Sequence, residues 1–149
     1  HFVSKEQFEE MIARDEVLEH AEFCGNYYGT PRDAVEAMRN EGKNVILEIE
    51  VQGAQQVMQK CPDAVSIFIA PPSMTELEKR LRGRGTEAEE VIQKRLATAS
   101  GELKDAPNYK YLVVNDQVET AAQEILTILA AEQIHQINKE EKVKEVLES

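Results

Sequence analysis

Apolar and polar residues follow two periods along the chain, one typical of strands and the other of helices. Three runs are short, rich in β-branched residues and bounded by polar turns, as buried strands are: Val45–Val51, Ala64–Ala70 and Tyr111–Asp116. Around these runs, apolar residues recur every three or four positions, which indicates helices. Strands that alternate with helices require right-handed crossover connections. The pattern therefore predicts an α/β core with a parallel sheet and helices on both faces.

Capping residues and glycines indicate where the helices begin and end. Ser4 and Gln7 form a capping-box pattern before an apolar face that includes Phe8. Thr30 is a candidate N-cap before Pro31, which suits the first position of a helix. Helices are predicted at about residues 5–14, 31–40, 53–59, 74–82, 86–103 and beyond 117. These helices supply the layers that cover the predicted sheet.

The stretch Leu18–Pro31 does not fit this alternation of strands and helices. Its apolar and polar residues alternate, and Gly25-Asn26 is favourable turn chemistry, so it predicts a hairpin of two short strands. Such a hairpin belongs in a small α+β lobe inserted beside the core. Glu19, Tyr28 and Thr30 could then point into one pocket and hold a small polar ligand. A surface hairpin with a hydrogen-bonded Glu19 and half-buried tyrosines explains the pattern as well.

The charge balance narrows the classes of partner. The chain has 149 residues, with 28 acidic and 17 basic side chains and a net charge of −11. This balance argues against general binding of nucleic acids or anionic membranes, which favour broad positive fields. No apolar run is as long as a membrane span, and Cys24 and Cys61 lack metal-ligand or redox spacing. We therefore expect a cytoplasmic protein with reduced thiols and with neither a nucleic-acid nor a membrane partner.

Two acidic residues recur at strand spacing in the first apolar run. Glu48 and Glu50 are two positions apart, so they would point to the same side of the predicted strand. Two carboxylates on a buried face repel each other, and ligands of parallel sheets gather at the carboxyl ends of the strands. The pair therefore indicates a site, unless both side chains lie at an exposed strand end and pair with Lys or Arg.

Arginines cluster around a glycine-rich break between two predicted helices. Arg80 and Arg84 are four residues apart, Gly83 and Gly85 supply backbone freedom, and Arg95 lies on the next helix. A solvated arginine face explains this composition. A cluster around a glycine hinge is also the form of a closing lid, in which arginine would neutralise the charge of a transferring phosphoryl group.

Two segments carry a resemblance to a known family. The run Glu-His-Ala-Glu-Phe-Cys-Gly-Asn-Tyr-Tyr-Gly-Thr, residues 19–30, closely resembles the GMP-binding segment of guanylate kinases. The run Arg-Leu-Arg-Gly-Arg-Gly-Thr, residues 80–86, followed by Arg95, looks like the lid of the same family. A dozen near-continuous residues make the first match specific, and the resemblance extends over nearly the whole chain.

The resemblance implies how the hairpin would bind GMP. Guanine presents N1–H and its exocyclic amine side by side, and one carboxylate accepts from both, whereas adenine offers no such pair on that edge. Glu19 would thus read the base, and the residues that match Thr30 and Tyr28 contact guanine and the GMP phosphate. The family often has Asp-x-Asp where this chain has Glu48-Ile49-Glu50. We expect Glu50 to contact GMP and Glu48 to act as a positioning residue.

The resemblance also implies an ATP side and a division into domains. Arg80, Arg84 and Arg95 would reach ATP and the transferring phosphoryl group as catalytic residues. The residue that matches Asn115 lies near the adenine, although Asn115 also fits a turn after a strand. A partial GMP-binding lobe with its flanking helix would occupy residues 1–43, and a nucleotide kinase core would occupy 44–149, with a helical lid at about 80–100.

The implied reaction is phosphoryl transfer from ATP to GMP, giving ADP and GDP in purine nucleotide metabolism. Mg²⁺ would be held mainly by ATP and by a P-loop, yet the chain contains no Gly-x-x-x-x-Gly-Lys-Ser/Thr. Because the chain also begins at His1 rather than Met, we expect that an N-terminal part is missing and that the chain alone is inactive. The alternative is a catalytically inactive guanylate kinase-like module that binds peptides or GMP. A monomer and a homo-oligomer are both compatible with the sequence.

Overall fold

The computed structural model describes residues 2–23, 26–83, 85, 87–135 and 139–148. The chain divides into two units, His1–Ala64 and Val65–Ser149, which are described separately. The elements in chain order are α1 Lys5–Ala13, β1 Val17–Phe23, β2 Asn26–Pro31, α2 Arg32–Asn40, α3 Val51–Lys60, β3 Ile67–Ala70, α4 Met74–Gly83, α5 Glu89–Glu102, a 3₁₀ helix Leu103–Asn108, β4 Tyr111–Val114, α6 Val118–His135 and α7 Lys139–Glu148.

The first unit is built on an antiparallel hairpin of β1 and β2. The two strands pair with Glu19 opposite Thr30 and Ala21 opposite Tyr28, and β1 has an irregularity between Val17 and Glu19. Helices α1 and α3 pack on β1, and α2 packs on β2. The predicted hairpin is therefore confirmed. Asn26, which was predicted to lie in the turn, is the first residue of β2 and pairs with Phe23, whereas Cys24 and Gly25 lie outside the described residues. The buried apolar side chains of this unit are Phe8, Val17 and Leu18.

The two helix N-caps that the sequence predicted in this unit have different outcomes. At α1, Ser4 Oγ accepts from the Gln7 N–H at 3.2 Å and Gln7 Oε1 accepts from the Ser4 N–H at 2.9 Å, which is the predicted capping box. The N-cap of α2 is Pro31, so the prediction that Thr30 caps this helix is wrong. Thr30 belongs to β2, and its hydroxyl donates to the Glu19 carboxylate instead.

The segment that leads into α3 is not a strand, contrary to the prediction for Val45–Val51. Residues 43–50 have no assigned strand pairing, and Val51 is already the first residue of α3. The side chains of this segment still alternate in exposure: Val45, Leu47 and Ile49 are half-buried, and the residues between them are exposed. The alternation indicated an extended chain, but a strand also needs a hydrogen-bonded neighbour, which the described residues do not supply here.

The second unit contains a parallel pair of strands. β3 and β4 pair from Ile67 opposite Tyr111 to Ala70 opposite Val114, and the chain between them passes through α4, α5 and the 3₁₀ helix. This confirms a mixed α/β fold with a small parallel sheet, as the alternation of elements predicted. The buried apolar side chains of this unit are Phe68, Ala70, Leu81, Ile92, Ala106, Val113 and Ala121.

A buried carboxylate joins α6 to β4. Glu132 is 7% exposed and accepts hydrogen bonds from the Tyr111 hydroxyl at 2.5 Å and from Lys110 Nζ at 2.7 Å. These hydrogen bonds are the largest cause of the raised pKa of Tyr111 and of the raised pKa of Lys110. A buried charge needs such partners, so this contact fixes the C-terminal half of α6 on the strand.

Two further findings concern membranes and thiols. Across the described ranges, none of the helices is both long and apolar enough to pass through a bilayer. Cys61 is a free, half-buried thiol at the C-cap of α3, whereas Cys24 lies outside the described residues.

Candidate active site

Glu19 is the buried acid of the hairpin. It is 6% exposed, and its Oε1 accepts a hydrogen bond of 2.6 Å from Thr30 Oγ1 on the opposite strand. A buried carboxylate is costly unless it has partners, and Thr30 supplies one of them. Two carboxylate oxygens can accept about four hydrogen bonds, so the group retains acceptor capacity beyond Thr30. The structure therefore brings together two of the predicted site residues, the acid and the hydroxyl.

The second oxygen of this carboxylate lies against the first turn of α3. A Cβ atom built at Gly53 would be 2.7 Å from Glu19 Oε2 and 3.3 Å from Glu19 Cδ. Only glycine leaves room for the carboxylate in this position. Sequence reasoning missed Gly53, which it placed only at the start of the predicted helix 53–59. The available signal was the glycine itself, because glycine has a low helix propensity and is often found where another atom approaches the backbone closely.

Tyr28 lies on the same face of the hairpin as the acid. It is two residues from Thr30 on β2, so their side chains point to the same side of the strand, and it pairs with Ala21, two residues from Glu19. Tyr28 is 57% exposed. Between the two site residues, a Cβ at Gly29 would be 2.7 Å from the Glu19 carbonyl oxygen. The close approach of the two strands thus depends on glycine.

Glu48 and Glu50 lie in the unpaired segment before α3, in the same unit as Glu19. Both are exposed. Glu50 is the N-cap of α3, with extended backbone at φ −73° and ψ 164°, and its side chain makes no capping hydrogen bond. Contact of either carboxylate with GMP stays a prediction.

Arg80 and Asn115 meet in the second unit. Arg80 Nη1 donates to the Asn115 carbonyl at 2.7 Å, and Nη2 donates to the Asp116 carbonyl at 3.0 Å. Arg80 Nε donates to Glu76 at 3.0 Å, and this hydrogen bond is the largest cause of the lowered pKa of Glu76. The side-chain Oδ1 of Asn115 is buried without a hydrogen-bond partner among the described residues. Arg80 therefore holds the turn after β4, and its contact with ATP stays a prediction.

Two further arginines were predicted to act at the phosphoryl group. Arg95, on α5, pairs with Glu87 at 2.8 Å and its side chain is 53% exposed. Arg84 lies outside the described residues, so its predicted role is not tested. The structure brings Arg95 into contact with neither Arg80 nor Asn115 among the hydrogen bonds of the described residues.

A neighbouring arginine connects α4 to α5. Arg82 pairs with Glu78 on its own helix at 2.8 Å and with Glu89 at the start of α5. The Arg82 guanidinium is the largest cause of the lowered pKa of Glu89, which falls to about 2. This bridge spans the glycine-rich connection between the two helices, so Arg82 has a structural partner on each side of it.

The chain matches the family model described as guanylate kinase over residues 1–132. It is 56% identical over 132 residues to the guanylate kinase of Desulfitobacterium hafniense (strain Y51), a match that covers 89% of this chain and 66% of that protein. It is 53% identical over 133 residues to the guanylate kinase of Escherichia coli (strain K12), covering 89% of this chain and 64% of that protein.

A solved structure of a guanylate kinase is also similar to this chain. The crystal structure of guanylate kinase from Anaplasma phagocytophilum matches with a TM-score of 0.70 and 38% sequence identity, over 89% of this chain and 64% of that one. The chain thus spans about two thirds of the length of the relatives that it matches. Because the family model covers most of its residues, the chain belongs to the guanylate kinase family.

Proposed function

We propose that the protein transfers the γ-phosphoryl group of ATP to GMP. An oxygen of the GMP phosphate would form a bond to the γ-phosphorus while the bond from that phosphorus to the β,γ-bridging oxygen breaks, giving GDP and ADP. The observation that carries this proposal is the buried Glu19 carboxylate, hydrogen-bonded to Thr30 in a chain of the guanylate kinase family.

The geometry of Glu19 supports a role in reading the base. Its carboxylate has acceptor capacity beyond the bond from Thr30, and guanine offers two adjacent donors, N1–H and the exocyclic amine. A site that depends on buried hydrogen bonds can reject a ligand that lacks the donors by ~10⁴ or more, because its polar groups would be left unpaired. Glu19 and Thr30 would therefore select guanine, and Tyr28, Glu48 and Glu50 would complete the GMP site.

The arginines of the second unit would act on ATP. In phosphoryl transfer, positioning and neutralisation of the charge on the transferring group supply the catalysis, and one inserted arginine is worth ~10³–10⁵ in rate. We assign this role to Arg80, Arg84 and Arg95, with Asn115 beside the adenine. No covalent intermediate on the protein is needed, because orientation and electrostatics lower the barrier.

Mg²⁺ enters this proposal with the nucleotide. The described part of the chain contains no group of three or more His, Cys, Asp or Glu side chains arranged to hold a metal ion. Mg²⁺ is commonly bound through substrate phosphates and only one or two carboxylates. We therefore treat it as the ion that accompanies the ATP phosphates. The net charge of −11 argues against nucleic acid or an anionic membrane as a partner. The cytoplasmic nucleotides GMP and ATP, which are anions too, would need local basic side chains such as the arginines of the second unit.

Calorimetric titration tests the proposal. GMP is titrated into the chain, followed by ATP with Mg²⁺, and ADP and GDP formation is assayed in the chain and in any longer natural polypeptide that contains it. We expect Glu19→Gln to raise the Kd of GMP about 10- to 100-fold and to narrow the preference for GMP over AMP. Glu22→Gln is the matched control, since Glu22 is an exposed acid on the same strand.

Three results would contradict the proposal or part of it. Binding of GMP without ATP in every form of the protein would indicate a GMP-binding module. Binding of neither nucleotide would indicate the peptide-binding alternative. An unchanged Kd for GMP in Glu19→Gln would remove Glu19 from the base site.

A further inference from the structure

Helix α3 contacts the strand that carries Glu19 at three points. Gly53, Gln56 and Lys60 are spaced by three and four residues, so they lie on one face of the helix. Each of them meets a different part of β1. The contacts therefore form one continuous interface along the strand, with Glu19 in the middle.

Gly53 gives the Glu19 side chain its place. A Cβ at this position would be 2.7 Å from Glu19 Oε2, closer than real Cβ contacts come, and the three nearest atoms all belong to the Glu19 side chain. A side chain at residue 53 would therefore displace the carboxylate and leave the backbone of β1 where it is. The identity of residue 53 thus controls the position of the acid.

Gln56 fixes the main chain at the next residue. Its Oε1 accepts from the His20 N–H at 3.1 Å, and its Nε2 donates to the His20 carbonyl at 2.9 Å. These two bonds reproduce the pair that a neighbouring antiparallel strand would make with His20. A primary amide is the side-chain group that offers an acceptor and a donor side by side, so Gln56 occupies the outer edge of β1 beside Glu19.

Lys60 holds the strand on the other side of the acid. Its Nζ donates to the Val17 carbonyl at 2.7 Å. The irregularity in the pairing of β1 with β2 lies between Val17 and Glu19, so the hairpin alone specifies the register less strongly there. Helix α3 therefore fixes β1 at Val17 and at His20, on either side of the irregular stretch and of Glu19.

We propose that Gly53 and Gln56 are positioning residues that determine base specificity through Glu19. This inference rests on the proposed function, since it concerns the same GMP site. Neither residue is assigned contact with the nucleotide. They act by holding the carboxylate where it can accept from both guanine donors at once, so their loss reduces the advantage of the exocyclic amine.

The test compares GMP with IMP, which keeps N1–H and lacks the exocyclic amine. In calorimetric titrations of the full chain, we expect Gly53→Ala to raise the Kd of GMP at least about tenfold and to bring the Kd of IMP closer to that of GMP. Alanine has the higher helix propensity, so α3 should persist. Gly101→Ala is the matched control, because Gly101 lies in α5 with open space around its Cβ position.

Gln56→Met tests the amide separately. Methionine keeps the length of the side chain and removes both hydrogen bonds, so we expect a smaller rise in the Kd of GMP, about three- to tenfold, with the same loss of preference over IMP. Gln55→Met is the control, since Gln55 is the exposed neighbour on the same helix.

A double-mutant cycle separates positioning from general loosening of the fold. If Gly53 and Gln56 act through Glu19, each substitution changes the Kd of GMP less than about twofold in a Glu19→Gln background. Equal effects in both backgrounds, or equal losses of GMP and IMP binding, would overturn the inference. If either variant fails to fold, the cycle with the other decides. If the unsubstituted chain does not bind GMP, the proposed GMP site itself fails. GMP binding that none of the variants alters overturns the positioning role alone.

Discussion

Thr30 Oγ1 and Glu19 Oε1 lie 2.6 Å apart, across the two strands of the hairpin. Thr30→Val keeps the β-branched shape and removes the donor, which leaves a buried carboxylate with one partner fewer. We expect the free energy of unfolding to fall by about 1–3 kcal/mol and the Kd of GMP to rise several-fold, measured by urea denaturation and calorimetry. Thr30→Ser restores the hydroxyl and should recover most of both losses. Equal stability of the valine and serine variants would show that the hydrogen bond contributes nothing.

The contact of Tyr111 with Glu132 gives a prediction for the second unit. Tyr111→Phe removes one hydrogen bond to a carboxylate that is 7% exposed. We expect the midpoint of urea unfolding to fall by ~0.5 M with the m-value unchanged. Tyr109→Phe is the control, because Tyr109 packs its ring edge-on against Phe68 with the centroids 5.1 Å apart and its ring is retained. A larger effect at Tyr109 would contradict the assignment.

The bridge between Arg82 and Glu89 should give stability a dependence on acid pH. The pKa of Glu89 is about 2 in the folded chain, below its ordinary value of 4.5, so folding favours the ionised form. The stabilisation is therefore complete above about pH 4.5 and is lost as the pH falls towards 2. The difference in Tm between the unsubstituted chain and Glu89→Gln should shrink over that window.

Glu90→Gln is the control for this measurement, since it removes the adjacent exposed carboxylate of the same first turn. The assignment would be wrong if Glu89→Gln and Glu90→Gln changed the Tm by the same amount at every pH.

Arg84 is the arginine of the glycine-rich connection for which the resemblance predicts a catalytic role. In a form of the protein that phosphorylates GMP, we expect Arg84→Ala to lower kcat by about 10³-fold or more and to leave the Kd of GMP nearly unchanged. Lys79→Ala is the control, because Lys79 is an 80% exposed cation on α4. Equal loss of turnover and GMP affinity, or no loss of either, would count against the lid assignment.

Local patterns predicted much of the fold. The capping box at Ser4 and the alternation through Glu19 each depend on residues close in the chain, and the structure confirms the helix and the hairpin that they predict. The predicted strand at Val45–Val51 was wrong because a strand is a relation between two segments. An apolar alternation cannot indicate whether a partner segment is present.

Long-range contacts explain what the sequence could not predict at the candidate site. The Thr30 hydroxyl could either cap the N-terminus of α2 or form a hydrogen bond with Glu19. Only the pairing of β1 with β2, which places Thr30 opposite Glu19, decides between these two roles. The amide of Gln56 contacts His20, which is 36 residues away in the chain. A periodic pattern of apolar and polar residues cannot predict a contact between residues so far apart in sequence. Gly53 was visible as a glycine at the start of a predicted helix, but the sequence could not show that the Glu19 carboxylate lies against it.

The contacts of β1 with β2 and with α3 join residues at different separations along the chain, which implies an order in which they form during folding. Glu19 and Thr30 are 11 residues apart, whereas His20 and Gln56 are 36 apart. Hairpins close in ~1–10 μs, and longer loops cost more entropy to close. We therefore expect Glu19 and Thr30 to come into contact before α3 docks on β1. An isolated hairpin is only marginally stable in water. The folding step that docks α3 therefore stabilises the contact of Glu19 with Thr30, and this contact is not stable in a nascent chain until residue 60 has been synthesised.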